Sequence, residues 1–534
     1  MVIVSFILAE SLDKMRDLSG KELGIMTAIT GLYGLVNAFS DKLFVPSIYG
    51  AFGLLAATLI MLFLLNSDKI TFSKKQFRGI VLGMTALVIF LNAKWFITSG
   101  DDSYTHLDTY VSAGDSKKKI SGTALKHLDE VPGADTDEFY RSTNLVTTGN
   151  LRSSSLLYGY NDVSTFSSTL NGGIVNYNNA MGNCRWNIVS IYDYNFRTYL
   201  NTLASVKYMG VAKKNTATIP YGYKKVQETK NKYYSIYENQ YSLPLGYTYD
   251  KIVNADRIDQ YSAAEKQETT MLAAIVEDKD MDKNSNLTVA TKLPLTAQKL
   301  KIKNIKLNGV SMTKDTIEIE KPGATMKFSF EAPANAETYL SLVGDIYAEK
   351  DAKEHFITAR IKAPGVKYGH KFRIDAYTTG QKEYLFNLGY REGAVKTCTL
   401  KFVGTGTLKY KDLALYSQTM SNYADRVNAL KENSLQNAKA EKNTVTGNIT
   451  VDKDKMLVVT LPYQKGWTAY VDGKKTDIQR VNYQYIGINL KKGTHDIKLH
   501  YQLPGIKLAF MITGCGIIAF VAIIFNIVRK RRKN

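Results

Sequence analysis

The feature that most constrains this chain is the placement of its apolar residues, which collect into long runs at the two ends and leave a polar middle of roughly 400 residues. A helix crossing a bilayer core takes about 20 mostly apolar residues. Leu23 to Ser40, Leu43 to Leu65 and Gly79 to Thr98 approach that length near the start, and Ile506 to Val528 does so near the end. The last run leads into Arg529, Lys530, Arg531, Arg532 and Lys533, a basic block expected to stay in the cytoplasm. The loop after Leu65 carries Lys69, Lys74, Lys75 and Arg78 against Asp68 alone and falls on the same side. Gly100 to Gly505 is then expected outside the cell.

Met1 to Ala9 is apolar but too short to span, and it lacks the charged start and cleavage site of a signal peptide. It reads as half a helix, so the chain is expected to begin inside a larger polytopic protein. Gly24, Ala28, Gly31 and Gly34 form a small-residue stripe suited to close helix packing. Lys94 near an outer helix end, and Asp41 with Lys42 in a short outer loop, put charge where a lipid-linked substrate would present its phosphate. Lys94 also fits a side chain snorkelling to the headgroups.

The polar middle divides by pattern. Residues 100–295 are rich in Tyr, Asn, Ser and Thr and read as mixed α/β, with a short charged helix near Ala263 to Glu277. Residues 296–416 alternate apolar and polar between turns; Ile302 to Leu307, Met326 to Phe330, Ala359 to Ile361, Tyr384 to Leu388 and Thr399 to Phe402 mark strands of a β-sandwich similar to a carbohydrate-binding or jelly-roll module. Tyr416, Met420, Tyr423, Val427 and Leu430 follow helical spacing and predict an amphipathic helix over 417–440. Residues 441–505 read as a small β domain leading into the membrane helix 506–528 and the tail 529–534, while residues 1–99 make a partial transmembrane bundle.

The net charge of +20 asks for an anionic neighbour. The cytoplasmic segments hold 12 basic residues against 5 acidic ones, so most of the excess lies elsewhere and favours an anionic wall polymer. No nucleic-acid motif is present. Three cysteines build no disulfide framework, and Cys184 and Cys398 pair only if the fold brings them together. The six histidines show no metal-ligand spacing.

Asp137-Glu138-Phe139-Tyr140-Arg141, Leu157-Tyr158-Gly159-Tyr160, Ser164-Thr165-Phe166-Ser167-Ser168, Leu203-Ala204-Ser205-Val206-Lys207-Tyr208 and Leu243-Pro244-Leu245-Gly246-Tyr247 occur in that order. Leu461-Pro462-Tyr463-Gln464-Lys465-Gly466-Trp467, Val471-Asp472-Gly473-Lys474 and Tyr501-Gln502-Leu503-Pro504-Gly505 follow. The series resembles the YfhO family of bacterial membrane proteins, which look like glycosyltransferases of the GT-C type. The resemblance implies transfer of a sugar from an undecaprenyl-phosphate carrier to an envelope polymer such as lipoteichoic acid. Its partners would be that lipid-linked sugar, the polymer, the bilayer and a separate N-terminal membrane half. The catalytic acid of GT-C enzymes sits in a first outer loop whose flanking helices are expected before Met1. A divalent metal is compatible with such chemistry, and no residue here is assigned to it. Tyr140, Arg141, Ser167, Ser168, Lys207 and Tyr208 match the family and would line the acceptor side, Arg141 and Lys207 offering charge to polymer phosphates. The same residues also suit buried anchoring roles. The runner-up reading is a non-catalytic, membrane-anchored protein that binds wall polymer or glycan.

Overall fold

The structure, a computed structural model, describes residues 17–38, 46–67, 69–98, 128, 131, 138–145, 153, 155–212, 219–228, 234–344, 356–373 and 380–531. Met1 to Ala9, Asp41 and Lys42 lie outside the described residues. The chain forms two compact units, Met1–Lys119 and Ile120–Asn534.

The first unit contains the helices Gly20–Ala38, Pro46–Asn66 and Lys74–Thr98. Two begin at reciprocal caps: the Glu22 amide donates to Ser19 Oγ while the Ser19 amide donates to Glu22 Oε2, and Ser73 and Gln76 repeat the exchange. Pro46 opens the third, where a missing N–H costs nothing. Leu23, Leu62 and Phe77 form a small shared core. By contrast Ile29, Leu32, Leu82, Ile89 and Phe90 each leave more than 60% of their surface uncovered. Helices that turn apolar side chains outward suit a lipid solvent. Among the described residues nothing lies within 4 Å of a Cβ built at Gly24 or Gly31 of the small-residue stripe, and Leu23 makes the shared contact.

In the second unit, residues 298–419 form a β-sandwich. One sheet orders the strands Gln298–Leu300, Asp412–Thr419, Ala336–Val343 and Glu383–Arg391. The facing sheet orders Asn304–Asn308, Thr325–Ser329, Thr397–Val403, Phe356–Ala363 and Val366–Arg373. Alternation sends Leu340, Leu342, Phe386, Leu388 and Leu415 from one, and Met326, Phe328, Ile357, Leu400 and Phe402 from the other, into a common core. Cys184 and Cys398 are both buried free thiols on that core; burial pushes Cys398 up to about 12 and Cys184 higher still.

The sandwich interrupts a second body, here termed the hub. Its seven-stranded sheet runs Thr288–Val289, Lys251–Asn254, Ala274–Val276, Gln479–Val481, Tyr485–Leu490, Lys455–Pro462, Gly246–Tyr249. The expected boundary between 100–295 and 441–505 therefore corrects: strands from both segments share one sheet. Along Lys455–Pro462 successive side chains go to opposite faces, Met456 and Val458 joining Tyr177, Tyr199 and Tyr247 on one side, Leu457 and Val459 joining Ile449, Ile497 and Leu499 on the other. Both faces are buried, so the sheet reads as a continuous apolar run rather than a half-polar one.

The helix expected over 417–440 also corrects. The helix is Tyr423–Lys431; Tyr416 lies in the strand Asp412–Thr419, and Gln436–Glu441 is a strand. A spacing of four between Tyr416 and Met420 fits strand alternation as well as a helical turn, and pairing with Ala336–Val343 decides it. The charged helix near 263–277 is Ala263–Thr269, opened by a Ser262–Glu265 capping box, and Ala274–Val276 enters the hub sheet.

A five-stranded sheet, Gln436–Glu441, Thr444–Val451, Gly493–Tyr501, Trp467–Val471, Lys474–Thr476, covers the outer face of the hub. Gly493–Tyr501 passes through Gln502–Gly505 directly into the helix Ile506–Arg531. The turn is locked by Gly466, where the Gln502 amide donates to its carbonyl at 2.9 Å and a Cβ would come within 2.4 Å of the Gln502 carbonyl oxygen. Among the described residues, Ile506–Asn526 is the stretch long and apolar enough to cross a membrane, and none of it is buried.

Candidate functional site

Glu138, Phe139 and Tyr140 precede the strand Arg141–Leu145, which pairs in parallel with Val206–Ala212. Register shifts at the first step: Arg141 stands opposite Val206 and Ser142 opposite Tyr208, so Lys207 is the extra residue of a bulge. A bulge re-aims the side chain it carries. The Lys207 ammonium sits 5.5 Å from the centre of the Tyr140 ring and 5.3 Å from that of Tyr208, within cation–π range of both. The two rings meet edge to face at 5.2 Å, with Tyr208 buried underneath and its hydroxyl raised to about 12 by burial.

Beside this pair opens a cleft of about 420 Å³, lined by Glu138, Phe139, Tyr140, Lys207, Ser242 to Leu245, Lys431 and Ser434 to Ala438. Beneath it Leu243, Leu245, Leu435 and Ala438 are all buried and support its wall. Leu435 is pinned there, its amide donating to the Gly246 carbonyl at 2.9 Å, while Cβ atoms on Gly246 or Gly447 would approach it to 2.8 Å. The rim is polar, with one carboxylate from Glu138, two ammonium groups from Lys207 and Lys431, and the amides of Gln436 and Asn437. Lys431 ends the helix Tyr423–Lys431, where the carbonyl end of the dipole favours a cation, although burial lowers its pKa. The accessible lining of the cleft is more polar than apolar, which suits a polar, hydroxyl- or phosphate-bearing ligand.

The residues expected from the sequence separate here. Tyr140 and Lys207 line the cleft; Tyr208 supports them from below. Arg141 does not offer its charge to a ligand: its guanidinium donates to the Ala204 carbonyl at 3.0 Å and to Thr460 Oγ1 and carbonyl at 2.9 and 2.7 Å, tying the strand start to the hub sheet. Ser167 and Ser168 follow the strand Thr165–Phe166, which pairs with Ser190–Ile191, and do not line the cleft. Lys94 is an exposed residue of the helical unit. Glu138 and Lys431 were missed: Glu138 lies inside a quoted motif, and the end of a packing helix gives no local sign that it meets residues 138–140. Among the described residues no group of three or more His, Cys, Asp or Glu is placed to hold a metal ion.

An exposed apolar helix leaving a hub-and-sandwich body defines a membrane-anchored protein whose folded region carries a lysine-rimmed cleft as its candidate site. The chain belongs to the family described as bacterial membrane protein YfhO, which it matches over residues 1–513. It is 26% identical over 553 aligned positions to the uncharacterized protein YfhO of Bacillus subtilis (strain 168), covering 98% of this chain and 58% of that relative. Among solved structures, arabinofuranosyltransferase AftD from Mycobacteria aligns over 92% of this chain and 56% of its own at 9% identity with a TM-score of 0.24. A CBM35 module from Paenibacillus barcinonensis aligns over 22% of this chain and 97% of its own at 10% identity with a TM-score of 0.17. Both likenesses are too slight to carry a fold or a function.

Proposed function

We propose that this chain is part of a multi-pass membrane glycosyltransferase that moves a sugar from an undecaprenyl-phosphate carrier to an envelope polymer such as lipoteichoic acid, with its folded region outside the cell. The observation that carries the reading is the cleft in which the family-matching Tyr140 and Lys207 meet Glu138 and Lys431. Two cations on the rim attract a polyanion, and the amides of Gln436 and Asn437 beside them suit its hydroxyl groups. The cleft serves the acceptor. No residue of this chain is assigned the removal of the acceptor proton, and activity belongs to the whole protein, of which relatives show a greater length.

The test replaces Lys207 and Lys431 by Ala in the producing bacterium and measures glycosyl groups per repeat in extracted lipoteichoic acid by NMR. About a tenfold fall at normal protein level is expected, because each lost rim cation weakens polymer capture. Unchanged glycosylation would remove the cleft from the reaction. The runner-up, a binding protein without catalysis, is favoured if deleting the gene leaves polymer glycosylation intact while the purified chain still binds the polymer.

A further inference from the structure

At the opposite end of the helix Tyr423–Lys431 from the cleft lies a cluster of aromatic rings with no part in the reading above. Tyr221 and Tyr241 stack at 5.7 Å with their planes 13° apart, and Tyr390 meets Tyr221 edge-on at 4.9 Å. All three are half-buried, whereas Tyr423 beneath them is fully buried and touches Tyr221 and Tyr241 edge to face. The rings come from three separate segments, and each is fixed. The Tyr221 amide donates to Thr198 Oγ1, the Tyr241 amide to Asn239 Oδ1, and the Tyr390 hydroxyl to Asn335 Oδ1 at 3.2 Å. Tyr241 lies over Gly222, whose φ of +78° and lack of a Cβ make room for the ring. The buried Tyr423 hydroxyl donates to Thr202 Oγ1 at 2.6 Å, anchoring the floor to the hub.

The three rings pack against the hub core and keep part of their surface in solvent, as a side chain with an apolar body and a polar tip does. A polar group adjoins them: the exposed Asn335, whose Oδ1 accepts from the Tyr390 hydroxyl. Flat apolar faces edged by hydroxyls and an amide match a pyranose, whose C–H face is apolar and whose rim is hydroxyl. Geometry connects the cluster to the cleft twice. Tyr241 is followed directly by Ser242 and Leu243 of the cleft wall, and the helix from Tyr423 to the cleft residue Lys431 advances about 12 Å.

We infer that Tyr221, Tyr241 and Tyr390 form a second subsite, which stacks an uncharged sugar ring of a glycan whose charged portion occupies the cleft. This deepens the acceptor reading and rests on it for the cleft's occupant. It predicts that the protein prefers a polymer already bearing sugar substituents over the bare polyanion, the behaviour of an enzyme that acts repeatedly along one chain.

The experiment uses the full chain in nanodiscs and two probes, poly(glycerol phosphate) lipoteichoic acid with and without hexosyl substituents, with binding followed by surface plasmon resonance. The wild type is expected to bind the substituted polymer about tenfold more tightly. The double variant Tyr221→Ala, Tyr390→Ala loses that preference and binds both alike; Tyr390→Phe, which keeps the ring, retains it; Lys207→Ala weakens both polymers equally. A wild type without preference, or a double variant that melts normally and keeps it, overturns the subsite. If neither polymer binds, the acceptor reading fails first; the neutral hexasaccharides maltohexaose, cellohexaose and chitohexaose then decide the tyrosines alone, since binding of any of them that the double variant abolishes upholds the platform and binding of none removes it.

Discussion

The sandwich and the hub are both antiparallel in the main and both fully cored, yet they are built by different routes. Every strand of the sandwich falls within residues 298–419 and pairs inside that segment, whereas the hub sheet splices strands from 246–289 with strands from 455–490. Hub integrity thus depends on long-range contacts, many of them polar. Glu268, with no exposed surface, accepts from the Thr296 and Ala297 amides, Gln418 and Arg426, joining two helices, a sandwich strand and the segment after the hub in one buried network. Glu337 does the same for the left-handed turn Asn195–Phe196: it accepts from the Thr198 amide and from Asn387, whose amide also donates to the carbonyls of both turn residues. The sandwich relies on apolar interdigitation, and the junction relies on the buried hydrogen bonds gathered by Glu268 and Glu337.

That difference can be broken by mutation. Replacing Arg426 by Met leaves Glu268 buried and without its cation, which should cost about 3–5 kcal/mol and lower the urea midpoint of the hub, read by hydrogen exchange at Ala274–Val276. A melt unchanged by the substitution would mean that the network is not what joins the bodies.

A pH titration sharpens the contrast next. Burial raises the Glu337 carboxyl to about 7 from an ordinary 4.5, so between those values it stays neutral in the fold and ionises on unfolding. Unfolding then releases a proton, and the stability from this group, full below pH 4.5, is lost as pH rises towards and through 7. Thermal melts should show Glu337→Gln flattening that decline, with no comparable change from a sandwich-core substitution.

The smallest effects belong to purely apolar and local terms. Ile357→Val in the sandwich core should cost about 0.5–1.5 kcal/mol, and Ser262→Ala, which removes one half of a capping box, about 1 kcal/mol. A larger loss from Ile357→Val than from Arg426→Met would reverse the comparison.

The same contrast explains what the sequence made legible. Alternation from Met326 to Phe330 and from Thr399 to Phe402 is local and marks strands without help from distant residues. The pairing of Val481 with Val276 is not local; nothing in either neighbourhood announces it. The cleft suffers likewise, since its residues come from 138–140, 207, 242–245 and 431–438. Tyr140 and Lys207 carried motif resemblance, but Lys431 had only its place at the end of a helix. Arg141 left two readings open in the sequence, because a guanidinium that clamps a backbone carbonyl looks there the same as one that meets a phosphate; the contacts to Ala204 and Thr460 select the anchor.

The lock at Gly466 has a consequence for how this protein works. Four residues separate the last strand from the membrane helix, and a chain of that length reaches no more than about 14 Å even when fully extended. With that span clamped at Gly466, the body has no leash. A long flexible tether would let it search a volume and sample substrates at low local concentration. This junction instead holds the folded body at a short, set distance from the start of the apolar helix Ile506–Arg531. Inserting a Gly/Ser linker after Gln502 would turn a fixed tool into a wandering one without altering a single residue of the cleft.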